Sequence, residues 1–423
     1  MRTNITRRGF LQRAAAVAAF TIVPRHVLGG TGYTPPSAQL TKAVIGVGGM
    51  GMGHLNMGGS KLLAVCDVDE GHLKEAVARG GADVKGYKDF REVLARPDID
   101  IVHIPTPPHW HALISIAAAE AGKDIWCEKP MARTIGEGKK VRDAVLRHGR
   151  IFRINTWFRF EGGLYGMNTA TKPIKKAAMH GLLGWPLKVT IGGHQGFDWK
   201  LGAWQGRTDL KPEPIPAGFD YDFWLGPAPF KPYASHRTHQ SFRGYWDYDG
   251  GGLGDMGMHY LDPVQYVLGK DDTSPVDIEA DTPLQHPDAA LPWRRIRMRY
   301  ADGCEIVLDG DNSLKDTPFI EGPGGKIFNG FRSDIVDLEK KLRELPEPPP
   351  QQTDFADAVR QRRKFALNES NAHRSCTLVN LAVIAVRLGR SLRYDPVAEQ
   401  FIGDEAANRL IDQPMRAPWR IET

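Results

Sequence analysis

A glycine-rich turn near residue 50 constrains the fold more than any other feature of this sequence. The segment Gly46-Val-Gly-Gly-Met-Gly51 comes at the end of a predicted strand, Ala43–Val47, and Asp67 closes the next predicted strand, Lys61–Asp67. A strand, a G-x-G-x-x-G turn and an acid about 20 residues further on are the fingerprint of a dinucleotide-binding βαβ unit. The pattern therefore predicts a Rossmann-type parallel sheet with NAD as its cofactor.

Each residue of the fingerprint has a physical task in such a unit. Gly46 permits the tight turn, Gly48 lets the backbone approach the pyrophosphate, and Gly51 allows the helix to pack closely on the strand. Asp67 accepts hydrogen bonds from the ribose hydroxyls. Val68-Asp-Glu70 offers no cation to balance a 2′-phosphate, so NAD is favoured over NADP. The predicted cofactor-binding residues of this region are Gly46, Gly48, Gly49, Met50, Gly51 and Asp67.

Apolar runs of strand length alternate with helical patterns from Lys42 onwards. Near-continuous apolar strands joined by helices indicate a parallel sheet buried on both faces, which we assign to an NAD-binding domain at residues 41–157. Only Met52–Ser60 separates the glycine turn from the next strand, which predicts a short first helix. The predicted strands are Ala43–Val47, Lys61–Asp67, Ile99–Ile104, Asp124–Glu128 and Ile151–Thr156, and the predicted helices are Glu70–Arg79, His109–Ala121 and Ile135–His148.

The pattern changes beyond residue 157, where strand-like stretches are interrupted by long loops rich in proline and glycine. This is typical of an α+β domain with an open, mainly antiparallel sheet, which we assign to residues 158–423. The fold class is thus α/β, with a doubly wound parallel sheet followed by this second domain. Its predicted strands are Leu187–Gly192, Trp293–Tyr300 and Cys304–Asp309, and its last helices are Asp354–Phe365 and Ala372–Gly389.

Residues 1–29 have the features of a signal peptide for the twin-arginine export machinery. Arg7 and Arg8 precede an apolar run, Ala14–Val23, that is shorter than the roughly 20 residues needed to cross a bilayer. Because this machinery exports folded proteins, the sequence predicts a periplasmic or secreted protein that binds its cofactor before export. Residues 30–40 form an irregular arm, and no later segment is predicted to span a membrane.

Composition argues against several other classes of protein. The net charge of +5 comes from the arginines within residues 1–29, so the rest of the chain is nearly neutral and shows no basic surface for nucleic acid. The four cysteines lie in predicted strands and a helix, and we expect reduced thiols rather than disulfides. No group of His, Cys and Asp has the sequence spacing of metal ligands, so no metal is expected.

Two further segments carry residues suited to hydride and proton transfer. Lys129, between Glu128 and Pro130, follows a predicted strand at the edge where open parallel sheets bind ligands, and the proline restricts its direction. Asp255 and His259 are spaced i and i+4 in a predicted helix, so they share one face. Histidine suits proton removal near neutral pH, whereas Asp255 would hold a substrate hydroxyl or orient the imidazole.

Taken together, these residues resemble the Gfo/Idh/MocA family of oxidoreductases, over nearly the whole chain after residue 29. The segment Trp224–Pro229, and the stretch from His373-Arg-Ser375 through Arg416–Trp419, look like a secreted branch of that family. The resemblance rests on the glycine turn with His54 after it, Thr106-Pro107 leading to His111, Glu128-Lys129-Pro130, and Asp255 with His259.

The resemblance also assigns roles to individual residues. It implies that Lys129, Asp255 and His259 carry catalysis. Thr106, Pro107, His111, Glu128 and Lys129 would contact the cofactor. Asn155, Trp157 and Arg159 are predicted to contact a sugar, although ordinary packing explains Trp157 equally well. Weaker candidates for substrate contacts are His194, Trp199, Arg237, His239 and Arg243.

The leading hypothesis is an NAD-dependent oxidoreductase that acts on a hydroxyl of a sugar, glycoside or cyclitol. Free nicotinamide nucleotide is scarce outside the cytoplasm, so export favours a tightly bound cofactor that is recycled in place. One alternative is a redox-neutral glycosidase or lyase acting through a transient keto-sugar, and another is a sugar-binding protein without catalysis. We also expect a homo-oligomer, in which the arm at residues 30–40 wraps the nucleotide or a neighbouring subunit.

Overall fold

The computed structural model describes residues 39–156, 159–160, 163–164 and 169–421. The predicted signal, almost all of the predicted arm, and Trp157 lie outside these residues.

The first sheet has six strands, all parallel. Its strands are β1 (Thr41–Ile45), β2 (Lys61–Cys66), β3 (Lys85–Tyr87), β4 (Ile101–Ile104), β5 (Asp124–Cys127) and β6 (Phe152–Ile154). Their order in the sheet is β3-β2-β1-β4-β5-β6, which is the order of a doubly wound dinucleotide-binding fold. The strand order reverses between β1 and β4, because β2 and β3 extend the sheet on one side and β5 and β6 extend it on the other. Ligands of such sheets bind at the carboxyl ends of the strands at this point.

Five helices connect these strands: α1 (Gly49–His54), α2 (Glu70–Gly80), α3 (Phe90–Leu94), α4 (Pro108–Glu120) and α5 (Ile135–Arg147). The short first helix is confirmed, since α1 has six residues. Strand β3 and helix α3 were not predicted. β3 is a three-residue edge strand with two exposed residues, and α3 has five residues, so neither produces a periodic apolar pattern.

The second sheet is mixed and mainly antiparallel, as predicted. Its strands are β9 (Lys188–Gly192), β10 (Asp277–Asp281), β11 (Arg295–Arg299), β12 (Glu305–Asp309), β13 (Ile320–Gly322), β14 (Gly325–Ile327), β15 (Leu392–Asp395) and β16 (Gln400–Phe401). The order is β14-β13-β9-β12-β11-β10-β15-β16, and only the β9 and β12 pairing is parallel. A separate two-stranded ribbon is formed by β7 (Gly163–Leu164) and β8 (Thr169–Ala170).

The helices of the second part are α6 (Thr171–Met179), α7 (Tyr221–Leu225), α8 (Gly251–Leu268), α9 (Leu338–Glu344), α10 (Phe355–Gln361), α11 (Glu369–Leu388) and α12 (Glu405–Asn408). The predicted helix Asp354–Phe365 is too long, because Arg362 adopts a left-handed conformation (φ 52°) and ends α10 at Gln361. The helix predicted to begin at Ala372 begins three residues earlier, where the Asn368 side chain accepts hydrogen bonds from the N–H groups of Ser370 and Asn371.

Two long helices position the site. Helix α8 packs against α6 and α11, and α11 also packs against α5 beside the parallel sheet. This packing brings the first turns of α8 to the carboxyl ends of β4 and β5, where Asp255 meets Lys129.

The structure also bears on the cysteines and on membrane-spanning segments. All four cysteines are buried and free, as expected. None of the described helices has the length and apolar character needed to span a membrane.

Candidate active site

Two glycines of the glycine turn lie where there is no room for a side chain. Gly46 has a φ of +90°, and a Cβ there would lie 2.9 Å from Thr106 Cγ2. A Cβ on Gly51 would lie 2.0 Å from the carbonyl oxygen of Gly46, so only glycine lets α1 start this close to β1. Gly49 faces open space, and Met50 is partly exposed at the same turn. The predicted cofactor turn is thus open on its outer side and closely packed on its inner side.

Asp67 lies at the end of β2, beside this turn. Its Oδ2 accepts a hydrogen bond from Val47 N–H (2.7 Å), and its Oδ1 accepts one from Asp69 N–H (2.9 Å). A carboxylate can accept about four hydrogen bonds, so Asp67 keeps acceptor capacity for two ribose hydroxyls. Position and chemistry both fit the predicted ribose contact.

Glu128 forms the centre of a buried polar network at the end of β5. Its Oε1 accepts hydrogen bonds from His54 Nε2 (2.9 Å) and from Asn155 Nδ2 (2.5 Å), and its Oε2 accepts one from Lys129 N–H (3.3 Å). Burial alone would raise the pKa of Glu128, but the hydrogen bond from His54 and the Lys129 charge lower it below its usual range. Glu128 is therefore an ionised, fully oriented carboxylate.

Two buried residues that were not predicted from the sequence, Lys42 and His103, form hydrogen bonds with His54. His103 Nδ1 lies 3.0 Å from His54 Nδ1, and Lys42 Nζ donates to the carbonyl oxygens of His54 (2.7 Å) and Met57. Burial lowers the pKa of Lys42 to about 8 and keeps His103 neutral. The available signal was a polar residue inside each of the apolar strands β1 and β4, which is unusual in strands buried on both faces.

The tautomers of the two histidines follow from this geometry. His54 must donate from Nε2, because an ionised carboxylate only accepts. His103 Nε2 has no hydrogen-bond partner among the described residues. A lone pair there is less costly to bury than an N–H, so the proton of His103 belongs on Nδ1 and points at His54. The two imidazoles thus form a directed chain of donors that ends on Glu128.

The predicted catalytic residues Lys129 and Asp255 form a buried ion pair. Lys129 Nζ donates to Asp255 Oδ1 (2.8 Å) and to its backbone carbonyl oxygen (2.7 Å). Arg243 Nε donates to the same Oδ1 (2.8 Å). Burial alone would raise the pKa of Asp255, but the charges of Lys129 and Arg243 hold it well below its usual range. Asp255 is therefore a fixed anion between two cations.

His259 lies one turn after Asp255 on the same face of α8 and is also buried. Burial, together with the Lys129 charge, lowers the pKa of His259 to about 3, so the imidazole is neutral near pH 7 and can accept a proton. The charges of Glu128 and Asp255 act in the opposite direction. They would stabilise the imidazolium that forms once a proton arrives.

Thr106, Pro107 and His111 lie where β4 leads into α4. His111 Nδ1 is 2.6 Å from the carbonyl oxygen of Pro130, and its Nε2 is 2.7 Å from that of Thr106. His111 thus joins the loop after β4 to the loop that carries Lys129. Pro107 occupies the N-cap position of α4, immediately before its first residue. The structure brings these residues to the same edge as Glu128, with His111 bracing the loops from within.

The predicted substrate contacts have different fates. Asn155 lies behind Glu128, as described above, and Trp157 is outside the described residues. Arg159 is buried, and its guanidinium donates to the carboxylates of Asp262 (2.9 Å) and Asp271 (2.6 Å). This cluster uses the donors that were expected to bind a sugar, so the structure gives Arg159 a structural role instead.

Of the weaker candidates, only Arg243 joins the catalytic pair. Its guanidinium also lies over the Trp204 ring, 5.0 Å from the ring centre, and Lys200 Nζ lies 5.1 Å from the same ring. The others lie elsewhere: His194 contacts the carbonyl oxygen of Asn312, Trp199 is buried, Arg237 pairs with Asp288, and His239 lies beside Asp69.

Asp249 is a second buried carboxyl group near this cluster. Its Oδ1 accepts a hydrogen bond from Gly250 N–H (2.8 Å), whereas its Oδ2 has no partner among the described residues. Burial, reinforced by the charge of Asp255, raises the pKa of Asp249 to about 7. In the sequence, Asp249 precedes a run of glycines and reads as an ordinary turn residue, so no local signal marks it.

One group of potential metal ligands occurs in the described part of the chain, although sequence spacing predicted none. The donor atoms of Asp69, His72 and His239 lie within 4.8 Å of one another. Asp69 and His72 belong to the start of α2, and His239 is distant in sequence, so spacing alone does not reveal the group.

Three curated relatives are similar to parts of this chain. The inositol 2-dehydrogenase of Salmonella paratyphi B is 28% identical over 156 residues, which cover 36% of this chain and 44% of that protein. The levoglucosan dehydrogenase of Pseudarthrobacter phenanthrenivorans is 54% identical over 71 residues, covering 17% and 18%. A glycosyl hydrolase family 109 protein of Shewanella baltica is 32% identical over 172 residues, covering 34% and 38%. The matched regions thus span less than half the length of these relatives.

The fold is shared with a solved structure over a much larger region. The WlbA dehydrogenase from Chromobacterium violaceum, solved with NADH and UDP-GlcNAcA, superposes with a TM-score of 0.57 and 19% identity over 85% of this chain and 96% of that one. At this identity the likeness establishes the fold alone.

Two family descriptions match almost the whole described chain. Residues 40–156 match the oxidoreductase family with an NAD-binding Rossmann fold, and residues 167–421 match the C-terminal alpha/beta domain of the same family. The first region contains the glycine turn, Asp67 and Lys129, and the second contains Asp255 and His259. This chain therefore belongs to the Gfo/Idh/MocA oxidoreductase family.

Proposed function

We propose that this protein oxidises a hydroxyl group of a sugar, glycoside or cyclitol, with NAD as the hydride acceptor. The observation that carries the proposal is the buried Lys129–Asp255 ion pair beside the neutral His259, at the carboxyl edge of an NAD-binding sheet. The names of the similar inositol and levoglucosan dehydrogenases support a polyhydroxylated substrate.

The proposed chemistry uses each residue in one role. Lys129 donates a hydrogen bond to the substrate oxygen and stabilises the negative charge that develops on it. His259 accepts the hydroxyl proton, and Asp255 holds Lys129 in position. NAD, held by the glycine turn and Asp67, would supply the hydride acceptor for the carbon that carries this oxygen. Loss of the hydride from the carbon and of the hydroxyl proton to His259 would convert the alcohol into a carbonyl compound.

Replacement of Lys129 tests this assignment. We expect Lys129→Ala to lower kcat by at least about 100-fold, because the developing oxyanion loses its charged donor. NAD should remain bound, since Asp67 and the glycine turn are unchanged. The measurements are NADH absorbance during turnover with myo-inositol and levoglucosan and the nucleotide content of the denatured protein. Lys140→Ala, at a partly exposed lysine paired with Asp412, is the control. Unchanged turnover by Lys129→Ala would contradict the assignment.

We also propose that the cofactor is retained and recycled in place. The support is the twin-arginine pattern at Arg7 and Arg8, which implies folding before export to the periplasm or beyond. With an association rate constant of about 10⁶ M⁻¹s⁻¹, a Kd near 1 nM allows escape within roughly ten to twenty minutes, so retention for hours needs tighter binding. Protein purified without added nucleotide should release stoichiometric NAD when denatured. An empty site would overturn the proposal.

A redox-neutral cleavage is the second candidate function, and the similarity to a glycosyl hydrolase family 109 protein favours it specifically. Oxidation to a ketone acidifies the neighbouring C–H, so a base can remove that proton and the aglycone leaves with the electrons of its C–O bond. The enone that forms would add water before the ketone is reduced again. Release of aglycone from a chromogenic glycoside without net NADH would support this route. Accumulation of NADH with an intact glycosidic bond would support oxidation alone.

A further inference from the structure

The end of β2 is covered by a loop from the second part of the chain. Glu70 N–H donates to the carbonyl oxygen of Gly218 (2.9 Å), and Asp220 N–H donates to that of Val68 (3.0 Å). Asp69 and Phe219, which lie between these two hydrogen bonds, pair as an isolated antiparallel bridge. The loop therefore binds to the residues just after Asp67 as a short added strand. We call residues 216–220, together with His239, the adenosine clasp.

His239 is held against the same turn at a cost in backbone energy. Its Nε2 lies 3.3 Å from Asp69 Oδ2, and its ring packs edge to face on His72, with 5.1 Å between ring centres. The backbone of His239 has a φ of +51°, in the left-handed region that residues other than glycine rarely adopt. Such strain persists where the surrounding structure fixes it, and it is concentrated at functional sites.

The adenosine clasp is anchored by an aromatic cluster. Phe219 is buried with Tyr221, Trp224, Tyr233, Phe242 and other apolar residues, and Val68 of the β2–α2 turn packs against this cluster. Phe219 also contacts the His239 ring, with centres 5.4 Å apart. Because the cluster joins the loop to the turn, the clasp can open only by disturbing packed side chains.

The position of the clasp identifies what it faces. In dinucleotide-binding folds, the acid at the end of the second strand binds the hydroxyls of the adenosine ribose. Here that acid is Asp67, and His72 Nδ1 lies 3.8 Å from its Oδ2. The His72 ring also lies 3.5 Å from the place of a Cβ on Gly48, over the turn that approaches the pyrophosphate. The clasp thus borders the site of the adenosine half of NAD.

We propose that the adenosine clasp closes on the adenosine half of NAD and slows its release. This inference rests on the proposed function, in which the cofactor is retained between turnovers. It assigns retention to the second part of the chain, with His239 on the β2–α2 turn and Phe219 anchoring the clasp in the aromatic cluster. Release of NAD then requires the clasp to leave the β2–α2 turn, so the dissociation rate reports on clasp contacts.

The variant His239→Asn tests the proposal with little risk to folding, because asparagine tolerates a positive φ. We expect NAD to dissociate about tenfold faster or more, as observed when loaded protein is diluted into an enzyme that consumes free NAD. The control is His148→Asn. His148 follows the last residue of α5 and precedes β6, so it lies at the edge of the parallel sheet opposite the β2–α2 turn. Equal dissociation rates for the parent and His239→Asn would overturn the proposal.

A second measurement uses the unaltered protein. ADP-ribose, which contains the adenosine half of NAD, should slow hydrogen exchange at the amides of Glu70 and Asp220, whereas nicotinamide mononucleotide should not. Exchange unchanged by ADP-ribose would overturn the clasp. If the parent itself loses NAD within seconds, the proposed retention fails; if the parent and His239→Asn both retain it equally, only the clasp fails.

Discussion

At the scale of single residues, the site is organised by how buried charges are compensated. Asp255 receives two cations, and Glu128 receives three N–H donors. Asp249 is the exception, because one of its buried oxygens has no partner in the described part of the chain. A buried carboxyl group without a cation of its own favours the protonated form.

This difference predicts a pH dependence of stability. The pKa of Asp249 is raised to about 7 in the folded protein, whereas an unfolded aspartate titrates near pH 4. Between these values the folded state binds more protons than the unfolded state, so the free energy of unfolding falls as the pH rises. We expect Asp249→Asn to remove this decline, and to be more stable than the parent above pH 7 by about 1–3 kcal/mol.

Denaturant unfolding of both proteins at pH 4.5 and at pH 8 measures the effect. Most of the pH range in which the stability of the parent should fall lies between these two values. Asp83→Asn, at a highly exposed aspartate, serves as the control. A stability difference between Asp249→Asn and the parent that does not change with pH would show that Asp249 is ionised throughout.

Several site residues could be predicted from the sequence because local spacing defines them. Asp255 and His259 share a helix face, and the glycine turn follows a strand. Arg243 was predicted only as a weaker candidate for a substrate contact, since its ion pair with Asp255 leaves no periodic signal in the sequence. Asp249 was not predicted, because no local pattern shows that this turn residue is buried. Arg159 was misread for the same reason: the sequence does not show that Asp262 and Asp271 would fold around it.

At the scale of elements, helix α1 connects the two ends of the cofactor site. Its first residues form the glycine turn, and its last residue, His54, donates to Glu128. The helix has only six residues, so both ends are fixed within about 9 Å of each other. A change at His54 should therefore affect cofactor binding from the inner end of the helix.

We expect His54→Leu to weaken NAD binding about tenfold and to destabilise the fold by about 1–3 kcal/mol, because Glu128 loses a donor while remaining buried. His54→Gln keeps an N–H that can reach Glu128 and should recover most of the loss. Titration of NADH fluorescence and thermal unfolding measure the two effects. Equal affinities for the leucine and glutamine variants would show that the hydrogen bond to Glu128 does not contribute.

Whether a segment forms a helix or a strand was easier to predict than the residues at which it begins and ends. Continuous apolar runs identified five of the six parallel strands, and the short segment Met52–Ser60 between the glycine turn and the next strand predicted a short α1. The edge strand β3 was missed because an exposed strand has no apolar run. Helix α10 ends early at Arg362 through a backbone conformation that side-chain patterns do not encode.

At the scale of the whole molecule, the proposed export and the proposed cofactor retention make one joint prediction. The double variant Arg7→Lys/Arg8→Lys should remain in the cytoplasm as a folded, NAD-containing protein, because only the export address has changed. Cell fractionation and the nucleotide content of the purified variant test this, with Arg13→Lys as the control. Normal export of the double variant would contradict a twin-arginine route.

The burial of the four cysteines bears on the proposed export from a reducing to an oxidising compartment. Burial raises the pKa of Cys304 to about 11 and that of Cys376 to about 12, and it also raises the pKa values of Cys66 and Cys127. Oxidation and disulfide exchange proceed through the thiolate, which at pH 7 is about one part in 10,000 or less for such groups. We therefore expect the four thiols to stay reduced after the proposed export, so that the covalent structure of the fold is the same in a reducing and in an oxidising compartment.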